Sequence, residues 1–408
     1  MSTASSIARY PAPGRQGRIP LVDALRGFAL LGLFLVHCLE YFDLYWVAPT
    51  PTPLHKLVFF LFAGKAYTIF AMLFGLSFFI IMDRRGTGFG GRFLWRLLLL
   101  LMLGTLHSLI YMGDILQVLA LIGLGLLLAN RLSNKTLVIL AALCIAQLPG
   151  IYQSLAALAN WPGANDVPRH WAMYGEAFAV MKSGSLEQLL AHNAWQGMLT
   201  KWMFFVESGR GIQLAGLFMI GLVLGRTGFF ADPDRYARQR RLALGWSLAV
   251  SLVLLALQQY LQRLPNDAFQ AQGMARHYID QTLDSYIATA LTALGVLVFI
   301  LLYRKDLSRR LLNLLAPCGR MSLSIYLMQA LICVPLFYPF GLGWYQGIGQ
   351  GGALLLGLAI FAALTAFAHR WMERFHYGPA EWLWRAATLT TVKVPFLRRP
   401  YAREAIGV

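Results

Sequence analysis

The stretch RIPLVDALRGFALLGLFLVHCLEYFD, residues 18–43, decides the fold class, because its apolar run is long enough to cross a lipid bilayer. Arg26 and His37 are eleven residues apart, which places them on one face of a helix, about 16 Å apart along its axis. Asp23 and Glu40 extend this polar stripe at its two ends. Such a stripe is costly against lipid, so we expect it to face protein or water.

The composition supports a membrane protein with many spans. Of the 408 residues, 58% are hydrophobic and only 13% are charged. The net charge of +17 comes from Lys and Arg in short loops between apolar runs, so we interpret it as membrane topology and predict no nucleic-acid partner. The four cysteines show no CxxC or Cys/His spacing, and the sequence therefore predicts no disulfide framework and no metal site. P-loop, GxSxG and HExxH motifs are absent, and no dinucleotide fingerprint follows a strand, which excludes those soluble-enzyme chemistries.

The predicted fold is an all-α, polytopic bundle of about ten transmembrane helices. The apolar runs lie near residues 21–46, 57–82, 93–112, 114–129, 136–158, 210–230, 242–262, 283–303, 319–338 and 351–369. Most of the 35 Lys and Arg residues fall in alternate loops, which places both the N-terminus and the C-terminus in the cytoplasm. The join at Gly113 is so short that the third and fourth runs must form an antiparallel hairpin.

The chain divides into a bundle and two tails. We expect residues 1–20 to be a cytoplasmic tail, 21–369 to be the bundle, and 370–408 to be a cytoplasmic amphipathic tail whose basic residues suit anionic lipid headgroups. Residues 159–209 are mixed rather than apolar, and we expect one or two amphipathic helices there at the outer interface. This segment is either a connector with aromatic anchors or a lid over an outward-facing cavity.

The stripe on the first span has both a functional and a structural interpretation. His37 lies near mid-membrane, where an imidazole can act as general base, nucleophile or proton relay, with Glu40 fixing its tautomer. The alternative is a histidine that only packs. Arg26 either clamps a phosphate or carboxylate, or extends to the membrane surface with Asp23 as its i, i+3 partner.

The third span repeats the spacing, because Arg96 and His107 are also eleven residues apart. Asp114 lies seven residues beyond His107 and close to the same face. We expect this second stripe to face the first. An arginine at a cytoplasmic helix end is, however, also expected from topology alone.

Polar groups in two further spans are candidates for substrate contact. The ninth span carries Arg320, Tyr326 and Gln329, which either contact substrate or join helices. Lys65 lies deep in the second span and needs an acidic partner, for which Glu207 and Asp114 are the candidates.

Five stretches together resemble the YeiB-like family of bacterial membrane proteins, known as domain of unknown function 418. They are residues 18–43, GKAYTIFAMLFG at 64–75, LLLLLMLGTLHSLIYMGDIL at 97–116, GRMSLSIYLMQ at 319–329 and HYGPAEWLWR at 376–385. The chain also looks distantly similar to the transmembrane acyltransferases of acyltransferase family three and of the heparan-glucosaminide branch. That resemblance implies a bundle that moves an acyl group from a cytoplasmic donor such as acyl-CoA to an acceptor at the far side. In acyltransferase family three, an Arg and a His separated by ten residues are the signature of the first span, and Arg26 and His37 match it.

Two functional hypotheses follow. The first is an acyltransferase of the bacterial inner membrane, with acyl-CoA as donor substrate, no permanently bound cofactor, and a small-molecule or lipid/glycan acceptor. Its catalytic candidates are His37, Glu40, His107 and Asp114, its donor-binding candidates are Asp23, Arg26 and Arg96, and its substrate contacts are Lys65, Arg320, Tyr326 and Gln329. The second is a proton-coupled transporter or lipid flippase in which the same groups line a translocation path. A scaffold subunit is a third possibility, and a homodimer is left open.

Overall fold

The computed structural model describes residues 19–85, 90–232, 235–264 and 273–398. Within these residues the regular structure is helical, apart from one isolated bridge between Phe375 and Leu397. This confirms the prediction of an all-α polytopic membrane protein. The predicted tail at residues 1–20 lies almost wholly outside the described residues, as do positions 399–408 of the C-terminal tail.

The helices before the mixed segment are numbered α1 to α7. They are α1 Pro20–His37, α2 Pro53–Phe62, α3 Lys65–Arg85, α4 Gly90–Ile110, α5 Leu116–Ala129, α6 Asn134–Ile145 and α7 Leu148–Leu158. The mixed segment contains α8 Arg169–Ser183, α9 Leu186–His192 and α10 Met198–Glu207. The helices that follow are α11 Arg210–Thr227, α12 Ala237–Arg263, α13 Gly273–Tyr303, α14 Asp306–Asn313, α15 Ala316–Arg320, α16 Ser322–Phe337, α17 Gly349–Arg374 and α18 Pro379–Leu389.

Within the described residues, seven helical segments are long and apolar enough to cross a membrane, or eight if the bent pair Leu186–Glu207 and Arg210–Thr227 is one span. The fourth and ninth predicted spans are the shorter apolar helices α5 and α16. The count of ten crossings therefore stays a prediction. The predicted hairpin is present, because a Cβ added at Gly104 of α4 would lie 2.7 Å from the backbone nitrogen of Gln117 in α5.

The first span is the central helix of the bundle. Its apolar window is 83% buried inside the protein, whereas the other six long segments are between 11% and 39% buried. Its backbone touches α15, because a Cβ added at Gly319 would lie 1.8 Å from the carbonyl oxygen of Asp23. The polar stripe of α1 therefore faces protein, as its cost against lipid predicts.

The mixed segment packs onto one end of the bundle. It forms two helical segments, α8 and Leu186–Glu207, and a π-helical turn joins α9 to α10 within the second. Ala177, Phe178, Met181 and Leu189 belong to the same buried core as Tyr111, at the end of α4. This segment is therefore part of the folded body and covers the end of the bundle towards which α1 runs.

Helices α3 and α11 approach each other through glycines. A Cβ at Gly221 would lie 1.9 Å from the carbonyl oxygen of Met72, and one at Gly75 would lie 2.0 Å from that of Phe218. Small residues at such crossings allow the close backbone contact that stabilises helix pairs in membranes.

We expect Gly221→Val to push α3 and α11 apart and to lower the free energy of unfolding by about 1–3 kcal/mol or more, as overpacking does. Thermal unfolding of the full chain in detergent measures this effect. Gly245→Val is the matched control, because nothing lies within 4 Å of a Cβ at Gly245. Equal melting temperatures for the two variants would contradict the close crossing.

Candidate active site

A cavity of about 930 Å³ opens at the end of the bundle where α1, α4 and α16 begin, which we call the basic end. Its walls come from α1, α3, α4, α5, α11, α15, α16 and α18. Five of the predicted site residues line it, namely Asp23, Arg26, Arg96, Arg320 and Tyr326. Polar residues of three different predicted spans therefore line the same cavity.

Arg26 is fastened to the wall of this cavity. Its Nη1 lies 3.3 Å from Asp23 Oδ1 and donates to the carbonyl oxygen of Gly319 at 3.3 Å, and its Nη2 donates to Ser77 Oγ at 3.0 Å. The i, i+3 pair with Asp23 is present, and the guanidinium also links α1 to α15 and α3. Arg26 thus holds three elements together at the mouth of the cavity.

Arg96 is held in a different way. Its guanidinium stacks on the indole ring of Trp384 in α18, 3.6 Å from the ring centroid, while the indole N–H donates to the backbone carbonyl of Arg96 at 3.2 Å. Stacking leaves the N–H groups at the edge of the guanidinium plane available, and they form no hydrogen bond to the described residues. Arg96 is therefore the better-placed group for an incoming anion.

Glu381 fixes α18 against the mouth of the cavity. One carboxylate oxygen accepts the backbone N–H groups of Leu323 and Ser324 at 2.7 and 3.1 Å, and the other accepts the hydroxyl of Ser324 at 2.5 Å. Burial raises the pKa of this carboxyl, and the hydrogen bonds from Ser324 and Leu323 partly offset that effect. The carboxylate caps the first turn of α16, where the N–H groups of a helix are unpaired.

His107 and Asp114 form a buried pair beyond the inner end of the cavity. His107 Nδ1 lies 2.8 Å from Asp114 Oδ1, and the other carboxylate oxygen accepts the backbone N–H of Gln117 at 3.3 Å. A carboxylate at this position fixes the proton on Nδ1 and leaves the lone pair on Nε2. Nε2 is buried and has no hydrogen-bond partner among the described residues. An oriented imidazole with an available nitrogen is the arrangement of a general base.

Tyr326 lies between the cavity and this pair. Its ring lines the cavity and lies 5.3 Å from the ring of His107, centroid to centroid. Its hydroxyl oxygen accepts the backbone N–H of Ile115 at 3.1 Å. The side chain is therefore held in place as the partition between the cavity and the imidazole.

His37 reaches the same region from α1. The rings of His37 and His107 both pack against Tyr111, with centroid distances of 5.3 and 5.8 Å. His37 is 8% exposed and forms no hydrogen bond to the described residues. The two histidine stripes therefore meet at Tyr111, and only the histidine of the third span has an acidic partner.

Glu40 does not orient His37, contrary to the expected role. It lies in a π-helical turn, Cys38–Phe42, that follows α1 and interrupts the regular helical rotation. No hydrogen bond joins the two side chains, and Glu40 instead lies near the guanidinium of Arg210 and the indole of Trp46.

Neither acid proposed for Lys65 pairs with it. Lys65 Nζ donates to the carbonyl oxygen of Phe59 at 3.2 Å. Glu207 is engaged by His170 at 2.5 Å, and Asp114 by His107. Lys65 does not line the cavity.

Gln329 lies one turn beyond Tyr326 on α16. It is 2% exposed, and both its amide oxygen and its amide nitrogen lack a hydrogen-bond partner in the described part of the chain. The hydroxyl of Tyr111 is likewise buried without a partner there. Buried polar groups are normally paired, so these atoms indicate places where water or a ligand binds.

Two groups of residues near the site were not predicted. Lys201 of α10 is 4% exposed and donates to Ser108 Oγ at 2.8 Å, next to His107 in α4. Its place in the apolar run MLTKWMFFV was the available signal. Glu381 and Trp384 lie in a tail that we expected at the interface, and their capping and stacking roles depend on α16 and α4, which the tail sequence does not identify.

Two parts of the chain match known protein families. Residues 18–178 match the catalytic domain of heparan-alpha-glucosaminide N-acetyltransferase, and residues 224–391 match DUF418, a protein family of unknown function. The first match covers α1, α4 and the His107–Asp114 pair. Residues 18–178 of this membrane protein are therefore acyltransferase-like.

Bacterial relatives cover nearly the whole chain. Uncharacterized protein YeiB of Escherichia coli (strain K12) is 30% identical over 399 residues, covering 90% of this chain and 95% of the relative. Uncharacterized protein YxaH of Bacillus subtilis (strain 168) is 28% identical over 405 residues, covering 91% and 94%. No solved structure matches the chain. The chain belongs to the YeiB-like (DUF418) family, as its sequence motifs predicted.

We expect Glu381→Gln to weaken the attachment of α18 and to lower the free energy of unfolding by about 0.5–2 kcal/mol, the usual effect of losing a helix cap. Limited proteolysis after α17, together with thermal unfolding, measures the loss. Glu373→Gln is the matched control, since Glu373 is exposed. If both variants resist proteolysis equally, the cap does not hold α18.

Proposed function

We propose that this protein is an acyltransferase that transfers an acyl group from an acyl-CoA-class donor to a small-molecule, lipid or glycan acceptor. The observation that carries the proposal is the His107–Asp114 pair, which lies behind Tyr326, beyond the inner end of a cavity with arginines at its mouth. The similarity of residues 18–178 to an acetyltransferase catalytic domain supports it.

The donor phosphates would bind first at Arg96. Arg26 and Asp23 already bond to each other and to the bundle, so they shape the mouth rather than receive most of the ligand charge. Arg96 and His107 share one face of α4, about 16 Å apart along the axis. That separation suits a pantetheine arm, which would carry the thioester from the mouth to Tyr326.

The chemistry follows from the orientation of His107. Nε2 would accept the proton of the acceptor hydroxyl or amine as the acceptor attacks the thioester carbonyl carbon. The C–S bond then breaks, and the thiolate leaves with the proton that Nε2 holds. Asp114 stabilises the imidazolium that exists between these two steps. The proton lost by the acceptor is thus gained by the thiol, the new bond to the acceptor replaces the C–S bond, and no covalent enzyme intermediate is required.

His37 would act on the acceptor side. It lies across Tyr111 from His107, beneath the helices of the mixed segment, and has no partner to fix its tautomer. We assign it a role in acceptor contact, with Tyr111 and Gln329 as further contacts. Glu40 would take part only through Arg210, and Lys65 contributes at most to the outer surface of the bundle.

The membrane and its orientation complete the proposal. The positive-inside pattern places the basic end, and hence the mouth of the cavity, in the cytoplasm where acyl-CoA is found. The named relatives are bacterial, which supports the bacterial inner membrane as the location. The rival hypothesis of a proton-coupled transporter or lipid flippase gains no support from the comparisons.

We expect His107→Gln to reduce thiol release from acyl-CoA by about 10²–10⁴-fold, because it removes the general base. Asp114→Asn should give a smaller loss, since it disturbs only the tautomer and the charge balance. The measurement uses full-length protein in nanodiscs, acetyl-CoA and palmitoyl-CoA as donors, and glucosamine or phosphatidylglycerol as acceptors, with a thiol-reactive dye as readout.

The control is His376→Ala, an exposed histidine of the tail, which should retain wild-type rates. His37→Ala should raise the KM for the acceptor more than it lowers the rate at saturating acceptor. Equal thiol release from wild type and His107→Gln would refute the assignment of the base. Uptake of a solute into proteoliposomes without any acylated product would favour the transporter hypothesis instead.

A further inference from the structure

The walls of the cavity identify the kind of acyl group that it takes. Below the ring of charged residues at the mouth, hydrocarbon and aromatic side chains form the walls; they include Phe70, Phe74, Leu97, Leu100, Leu116 and Leu119. These residues come from α3, α4 and α5, so the apolar surface is continuous across three helices. A space of about 930 Å³ with such walls is far larger than a two-carbon acyl group needs.

Two polar groups of the walls, Ser77 and Tyr326, are already engaged in hydrogen bonds. Ser77 donates its hydroxyl to the carbonyl oxygen of Leu73 at 2.7 Å and accepts from Arg26. The hydroxyl of Tyr326 accepts the N–H of Ile115. A polar ligand would lose its hydrogen bonds to water against these walls, whereas a hydrocarbon chain would gain from burial there.

The mouth supplies charge complementarity for the other end of the ligand. Of the three acids that line the cavity, Asp23 pairs with Arg26 and Glu381 accepts hydrogen bonds from the first turn of α16, while Asp83 has neither kind of contact with the described residues. Arg96 presents its N–H groups from the face of Trp384 without a hydrogen-bonded partner among the described residues. An anionic headgroup at Arg96 and a hydrocarbon chain along Leu97 and Leu100 would follow successive positions of the same helix.

From these contacts we infer that the cavity binds a long-chain fatty acyl thioester, with the phosphates at Arg96 and the acyl chain against the apolar walls. This inference rests on the proposed function for the thioester group. The length of the acyl chain is inferred from the size and the apolar walls of the cavity. The chain and the pantetheine arm share the space between the mouth and Tyr326. Short-chain donors would leave most of the apolar wall uncovered.

The test is a binding series on wild-type full-length protein in phosphatidylcholine nanodiscs, with CoA, acetyl-CoA, octanoyl-CoA, palmitoyl-CoA and palmitate. Burial of each methylene contributes enough that affinity should rise at least about 10-fold for every two to four added methylenes, until the cavity is full. Palmitate, which lacks the phosphates, should bind more weakly than palmitoyl-CoA. Equal dissociation constants for acetyl-CoA and palmitoyl-CoA would overturn the inference.

Two variants assign the parts of the ligand to the parts of the cavity. Leu100→Trp fills the apolar part and should remove the advantage of palmitoyl-CoA over acetyl-CoA while leaving the affinity for CoA unchanged. Leu106→Trp is its matched control, because Leu106 is on the same helix but 56% exposed. Arg96→Gln should weaken CoA and palmitoyl-CoA together. The chain-length series on the wild type decides the question even if Leu100→Trp fails to fold.

Two further outcomes separate this inference from the proposed function and from a lipid site. Tight palmitoyl-CoA binding without thiol release from any donor would remove the acyltransferase function and leave the cavity assignment standing. Thiol release at equal rates and affinities from acetyl-CoA and palmitoyl-CoA would support the acyltransferase function and refute the assignment of the cavity to a long acyl chain. Loss of palmitoyl-CoA binding when phosphatidylglycerol replaces phosphatidylcholine would show that the cavity is a phospholipid site, and the inference would then fail.

Discussion

The close contact between α1 and α15 is the constraint on which the rest of the structure depends. Glycines remove the side chains that would separate the two backbones: a Cβ at Gly27 would lie 2.1 Å from the carbonyl oxygen of Leu315, and one at Gly319 would lie 1.8 Å from that of Asp23. The same contact brings the carbonyl of Gly319 to Arg26. Because α15 leads directly into α16, the crossing also sets the positions of Arg320 and Tyr326. Contacts with the central helix α1 thus set the positions of both the cavity mouth and Tyr326, the partition at its inner end.

Two polar regions result, and an apolar layer separates them. The mouth holds charged groups near the membrane surface, where water still contributes to their solvation, while His107 and Asp114 are nearly fully buried. Between them lie Tyr326 of α16 and, at the N-terminus of α5, Ile115 and Leu116. A charge pair in low-dielectric surroundings interacts strongly and is costly to leave unpaired. The hydrogen bonds that Asp114 accepts from the ring of His107 and from the N–H of Gln117 offset this cost.

The sequence predicted the fold class, the central polar span, the α4–α5 hairpin and the convergence of two histidine stripes, because periodicity and hydropathy report which residues share a face. It did not predict which helix each face meets. Lys65 was matched to the wrong acids for that reason, and Lys201 was overlooked because its partner, Ser108, lies 93 residues away. The expected contact between Glu40 and His37 is not observed for a local reason, since a π-helical turn cannot be deduced from regular helical rotation. The roles of Glu381 and Trp384 depend on surfaces that only the folded bundle creates.

The docking of α18 has a consequence for the order in which the protein is synthesised and folded. Helix α18 is translated after every other element that lines the cavity, and its Glu381 and Trp384 bind α16 and α4, which enter the membrane earlier. A nascent chain whose spans are all inserted therefore still has an unfinished cavity mouth, with the first turn of α16 uncapped and Arg96 unsupported. The walls of the cavity are completed only when α18 docks, after the helices that form its other walls have been translated. Insertion of the spans and completion of the cavity are thus separate events for this chain.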